Sequence, residues 1–167
     1  MTAEKKRDRS GLLKWVLLVL CVTVLAFLCS RYLVQIMLIQ GNSMQPAYHH
    51  LQPVLLDKLG ESYTYGNVIA FSQDIDGRRH VLVKRVVALP GDTVQIRDGT
   101  LYVNGTPSDL FGEGGVFAQA GIAAQPIRLE ADAYFVIGDN LAESKDSRSA
   151  EIGPVSAAQI LGRVIGS

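Results

Sequence analysis

Val81-Leu82-Val83-Lys84-Arg85-Val86-Val87-Ala88-Leu89-Pro90-Gly91-Asp92 sets two adjacent cations inside an aliphatic run. The run is dense in β-branched residues and stops at Pro-Gly-Asp, a turn signal, so it reads as a strand over 80–89. Alternate side chains of a strand share a face, which puts Leu82, Lys84, Val86 and Ala88 together. Either that face is exposed and the lysine discourages edge-to-edge association, or an amine is buried among aliphatics. The second arrangement carries chemistry. A free lysine titrates at about 10.4. Burial disfavours its charged form and lowers that value. A neutral amine within reach of a serine hydroxyl can then take its proton.

Short strand signals with Gly and Pro punctuation lie on both sides of this run. Upstream are 33–39, Val54-Leu55-Leu56 and Val68-Ile69-Ala70-Phe71, with a turn at Asp74-Ile75-Asp76-Gly77. Downstream, Thr93–Arg97, the turn Asp98-Gly99, Leu101-Tyr102-Val103 and Asn104-Gly105 read as successive hairpins. Residues 107–126 are rich in Gly and Ala without a strong period and read as a loop. Strands return at 127–129 and 133–137. The tail carries a short helix signal around 155–161 and a last strand at 160–165. The pattern predicts a mostly β protein, one small antiparallel domain with little helix outside the N-terminus.

That N-terminus is different in kind. Residues 1–11 are polar and basic, with Lys5, Lys6, Arg7 and Arg9 against Glu4 and Asp8. Between Lys14 and Arg31 there is no charge. A bilayer core needs about 20 helical residues, and this run reaches that length if Lys14 and Arg31 snorkel to the interfaces. Trp15 and Tyr32 fall where interfacial aromatics sit, and the basic leader predicts a cytoplasmic N-terminus with the rest outside. The competing reading is a cleaved secretory signal peptide. The run is long for one, and neither Phe27-Leu28-Cys29 nor Cys29-Ser30-Arg31 offers a clean small-x-small cleavage site. The expected organisation is a leader at 1–11, a transmembrane helix at 12–32 and an extracytoplasmic catalytic domain at 33–167.

Two further segments bear chemistry. Gly41-Asn42-Ser43-Met44-Gln45-Pro46 follows the strand that leaves the apolar run. A turn serine is commonplace; its place just outside a membrane anchor is not. Gly138-Asp139-Asn140-Leu141-Ala142-Glu143-Ser144-Lys145-Asp146-Ser147-Arg148 follows strand 133–137. Asp139, Asp146 and Arg148 suit a salt-bridged brace, and Ser144 offers a hydroxyl to orient a neutral amine.

Composition narrows the function class. Net charge is zero across 167 residues, so no overall basic field serves nucleic acid. Both cysteines, Cys21 and Cys29, lie in the apolar run, which leaves the rest of the chain without a disulfide framework or a cysteine metal site. His49, His50 and His80 fit no ligand spacing, and no metal or cofactor is expected.

In order and content, Gly-Asn-Ser-Met-Gln-Pro at 41–46, the lysine segment at 84–92 and Gly-Asp-Asn with Ser-Lys-Asp-Ser-Arg at 138–148 resemble the type I signal peptidases. These are serine proteases of the bacterial cytoplasmic membrane. The resemblance extends from the anchor to Gly153-Pro154-Val155 and Ile160–Arg163, and thins over 107–126. It implies that Ser43 is the nucleophile and Lys84 the general base. It implies that Ser144 orients the amine, that Asp139, Asp146 and Arg148 are structural ion-pair residues beside the site, and that Met44 is a packing residue next to the groove. The fold implied is mostly β, with a substrate groove between strands. The substrates implied are exported preproteins, cut after small residues at the lipid surface. Some members carry a serine two residues before the nucleophile that helps bind the oxyanion. Here that residue is Gly41, as in the Gram-positive branch, which leaves backbone N–H groups, Ser43's own first, to do so. The alternative reading is an inactive, anchored binding or assembly module on the same fold.

Overall fold

The computed structural model describes residues 9–60, 62–112 and 115–165. The basic leader up to residue 8 lies outside the described residues, as do the side chains of Arg31 and Tyr32. A single long helix, α1 (Arg9–Tyr32), opens the chain. Its stretch Gly11–Leu28 has a mean hydropathy of 2.5 and none of it is buried among the described residues. Leu, Val, Phe and Trp side chains from Leu12 to Leu28 are all exposed. An apolar helix with bare flanks has no soluble core to cover it, and its length and composition suit a membrane span.

After Leu33 the chain becomes β. The strands are β1 (Val34–Leu38), β2 (Pro53–Asp57), β3 (Val68–Ile75), β4 (Arg78–Ala88), β5 (Thr93–Arg97), β6 (Thr100–Val103), β7 (Thr106–Pro107), β8 (Ile127–Arg128), β9 (Ala133–Ile137), β10 (Val155–Ser156) and β11 (Ile160–Ile165). They form a seven-stranded sheet, β1-β2-β11-β3-β4-β9-β10, and a four-stranded sheet, β7-β6-β5-β8. The pairings are antiparallel throughout. The mostly β, antiparallel class expected from the sequence is the class observed.

Three expectations are amended. The strand over 80–89 runs from Arg78 to Ala88, because it pairs with all of β3 through a two-residue turn at Asp76-Gly77. Of the two readings of the Leu82, Lys84, Val86 and Ala88 face, the buried one holds: Lys84, Val86 and Ala88 are buried. Val83 and Val87 are buried too, since the far half of β4 is covered on both sides. The helix expected at 155–161 is one 3-10 turn, Ala157–Gln159, capped at both ends of its box by Ser156 and Gln159. Within 107–126, Phe117 and Ala123 are buried in a cluster with Val94, Leu101 and Phe135, and Gly121–Ala124 forms a 3-10 turn. Small residues and the lack of a period concealed that packing.

Two other clusters meet around β4. Val83 packs with Ile39, Met44, Ala70 and Val164. Val86 packs with Ile69, Phe71, Tyr134 and Val136. Lys84 stands between them, opposite Ile69 in the β3–β4 register.

Candidate active site

β9 covers β4 only from Arg85 onward, where Arg85 pairs with Ile137. Among the described residues, the β9 side of β4 is unpaired from Arg78 to Lys84, and β1, at the other end of the sheet, also has a free edge. One groove of about 610 Å³ is lined by Gln35 and Met37 to Gln40 on the β1 side and by Arg79 to Lys84 of β4. Ser43 and Lys84 both face into this groove.

Lys84 Nζ lies 2.6 Å from Ser43 Oγ, although 41 residues separate them in sequence. Lys84 is 3% exposed. Burial lowers its pKa from 10.5 to about 8, partly opposed by the charges of Asp146 and Asp139 and aided by that of Arg148. The two-residue juxtaposition is an amine close to neutrality against a hydroxyl it can deprotonate.

The segment that carries Ser43 is pinned from several directions. Its two arms close through Ile39 N–H to the Gln52 carbonyl at 3.0 Å and Leu51 N–H to the Ile39 carbonyl at 2.8 Å. Gly41, at φ +83°, donates its N–H to His50 Nδ1 at 3.0 Å. Asn140 holds the far side. Its N–H donates to the Ser43 carbonyl at 3.0 Å, and its Nδ2 donates to the Asn42 carbonyl at 3.3 Å. Met44 is 1% exposed and anchors the segment in the apolar cluster beneath. Sequence reading gives neither Asn140 nor His50 a place at this segment: Asn140 reaches it from 98 residues away, and His50 folds back on it from nine residues on.

The loop after β9 brings in two ion pairs rather than one shared brace. Arg148 Nε and Nη2 donate to Asp146 at 2.8 Å each, and Gly138 N–H donates to the same carboxylate at 3.1 Å. Asp139 does not join this pair. It accepts from Arg85 Nε at 2.7 Å and Nη2 at 2.6 Å, a bidentate clasp. Hydrogen bonding to Asp139 is the main reason that the Arg85 guanidinium titrates above its ordinary value. Arg85 was not recognised as part of the ion-pair set, because only the β4–β9 register reveals that it faces the turn after Ile137.

Ser144 Oγ is buried and has no hydrogen-bond partner among the described residues, Lys84 Nζ included. Gly138 explains how it comes so close to the Ser43 segment. A Cβ on Gly138 would lie 2.2 Å from Ser144 Oγ and 2.4 Å from the Ser43 carbonyl oxygen, so only glycine lets the three segments meet.

The family described as signal peptidase, peptidase S26, matches residues 12–166 of this chain. Signal peptidase I of Bacillus licheniformis is 33% identical over 174 residues, spanning 97% of this chain and 91% of that protein. Signal peptidase I S of Bacillus subtilis (strain 168) is 29% identical and spans 97% of this chain and 91% of its own. Among solved structures, a signal peptidase I from Enterococcus faecalis V583 aligns at 32% identity over 63% of this chain and 97% of that one, with a TM-score of 0.49.

Proposed function

From the premise that this chain belongs to the signal peptidase family, peptidase S26, we propose that Ser43 is its nucleophile and Lys84 its general base. The chain is a signal peptidase I, a serine peptidase that removes signal peptides from preproteins. The observation that carries the residue assignment is the 2.6 Å approach of a buried Lys84 Nζ to Ser43 Oγ.

The reaction follows from that geometry. Neutral Lys84 accepts the proton of Ser43 Oγ as the oxygen attacks the scissile carbonyl. The developing oxyanion takes the Ser43 N–H, which has no acceptor of its own among the described residues. Gly41 N–H is committed to His50 and is not the second donor in this arrangement. Lys84 passes its proton to the departing amine, leaving an acyl-enzyme on Ser43. Lys84 then draws a proton from water, whose attack frees the signal peptide and regenerates Ser43.

The substrate lies extended between the free edges of β1 and β4, held by main-chain hydrogen bonds. Shallow apolar walls from Met37, Ile39 and Val83 suit small side chains at the first and third positions before the cut. α1 is the anchor that holds this groove at the lipid surface, where a signal segment ends. The basic leader lies in the cytoplasm and residues 33–167 form the extracytoplasmic domain.

The test is incubation of the full-length protein in detergent with a preprotein, followed by sequencing of the new N-terminus. Ser43→Ala and Lys84→Ala are each expected to lower cleavage by about 10³-fold or more, with circular dichroism unchanged. Undiminished turnover by purified Lys84→Ala would remove the dyad.

A further inference from the structure

β1 and β4 run in the same direction. Four antiparallel pairings separate them in the order β1-β2-β11-β3-β4, so the chain sense reverses and returns. α1 passes into β1 through Leu33 alone, so the first residues of β1 mark the anchor end of the sheet. The register carries that level across to β4. Val34 pairs with Asp57, Asp57 with Arg163, Arg163 with Ile69 and Ile69 with Lys84. Arg79 lies five residues before Lys84 on β4, towards the anchor.

That end of the groove is cationic. Gln35 lines one side, and Arg79 and His80, both exposed, line the other. Among the described residues no carboxylate lines the groove, and Arg79 forms no ion pair. Asp74 stands opposite Arg79 in the β3–β4 pair and Asp76 sits in the turn, but neither lines the groove. Lys84, at the dyad, is held towards neutrality by burial. Arg79 is the permanent positive charge that faces a chain in the groove.

An extended peptide has the same rise per residue as the strands beside it, about 3.3 Å. With the scissile bond at Ser43, the residue that reaches Arg79 is about the fifth from that bond, about 17 Å away. It lies on the signal side, because a signal segment leaves the lipid at the anchor end. Resting on the dyad reading above, we infer that the anchor end of the groove is an electrostatic subsite, in which Arg79 favours acidic over basic side chains five to six residues before the cut. An exposed pairing of this kind is weak and screened by salt, so it ranks substrates without carrying their affinity.

The experiment uses full-length protein in uncharged detergent. Three synthetic preprotein peptides differ only at the fifth and sixth residues before the cut, which are both Ala, both Glu or both Lys. Wild type at low salt is expected to cleave the Glu peptide about fivefold better in kcat/KM than the Lys peptide, with the Ala peptide between them. Salt at about 0.5 M should bring that ratio close to one. Arg79→Gln is expected to bring it close to one at low salt, Arg79→Glu to invert it and Arg79→Lys to keep it. The ratio is taken within each protein, so a general loss of activity does not move it. Equal cleavage of the Glu and Lys peptides by wild type, or a ratio unmoved in Arg79→Gln and Arg79→Glu, overturns the subsite and leaves the dyad intact. No cleavage of any peptide by wild type overturns both.

Discussion

Arg85 and Asp139, 54 residues apart, form two parallel hydrogen bonds of 2.7 and 2.6 Å immediately beside Lys84. The same guanidinium donates to the Gly66 carbonyl at 2.8 Å. The clasp ties β4 to the loop that follows β9, and that loop carries Asn140, which in turn holds the Ser43 carbonyl. Lys84 and Arg85 are neighbours with opposite fates: one is driven towards neutrality, the other is fully paired.

Breaking one side of this clasp strands a mostly buried charge. The Asp139 side chain is 9% exposed and that of Arg85 22%. Asp139→Leu and Arg85→Met are each expected to cost about 3 kcal/mol. The double variant should cost less than the sum of the two. Thermal unfolding in detergent, run as a double-mutant cycle, checks this; strict additivity would mean that the pair is not coupled.

Lys84 itself should destabilise the protein it serves. Its pKa in the folded state is about 8, below its ordinary 10.5. Between those pH values the unfolded chain binds the proton and the folded chain does not, so stability rises with pH across that window. Below pH 8 the buried ammonium costs roughly 3 kcal/mol at about 1.4 kcal/mol per pH unit. Lys84→Met is therefore expected to be inactive yet more stable than wild type at pH 7, with the difference shrinking towards pH 10.5. A constant difference from pH 6 to 10.5 would contradict it.

Cleavage should follow the same proton in the productive direction. kcat/KM for a preprotein is expected to rise about tenfold per pH unit below 8 and to level off above it. A rate independent of pH between 5 and 8 would count against Lys84 as base.

Ser144 separates stability from catalysis. Its buried Oγ has no partner among the described residues, so Ser144→Ala removes an unsatisfied polar atom and should leave the melting temperature unchanged or higher. If the hydroxyl steers the Lys84 amine during turnover, kcat should fall about tenfold while KM holds. Equal losses of stability and activity would mark it as a packing residue.

Gly138→Ala tests the close approach at the centre of the site. The added methyl would stand 2.2 Å from Ser144 Oγ and 2.4 Å from the Ser43 carbonyl. Because backbone must move to admit it, a stability loss of about 1–3 kcal/mol is expected, together with a fall in kcat larger than that of Ser144→Ala. Full activity would show that these segments separate freely.

The β class, the apolar helix, most strand positions and the three segments that meet at the site are legible in the residues alone. These are local properties: a two-residue period, Pro-Gly and Asn-Gly turns, an uninterrupted apolar run. That Lys84 is buried, not an exposed edge lysine, depends on β9 ending at Ile137 and on the Met44 cluster packing against the strand. The pairing of Asp139 with Arg85 instead of Arg148, and the approach of Asn140 to the Ser43 segment, likewise emerge only in the folded chain. Charge pairing and desolvation act through space. Residues dozens of positions apart leave no mark of their partnership until the sheet sets them face to face.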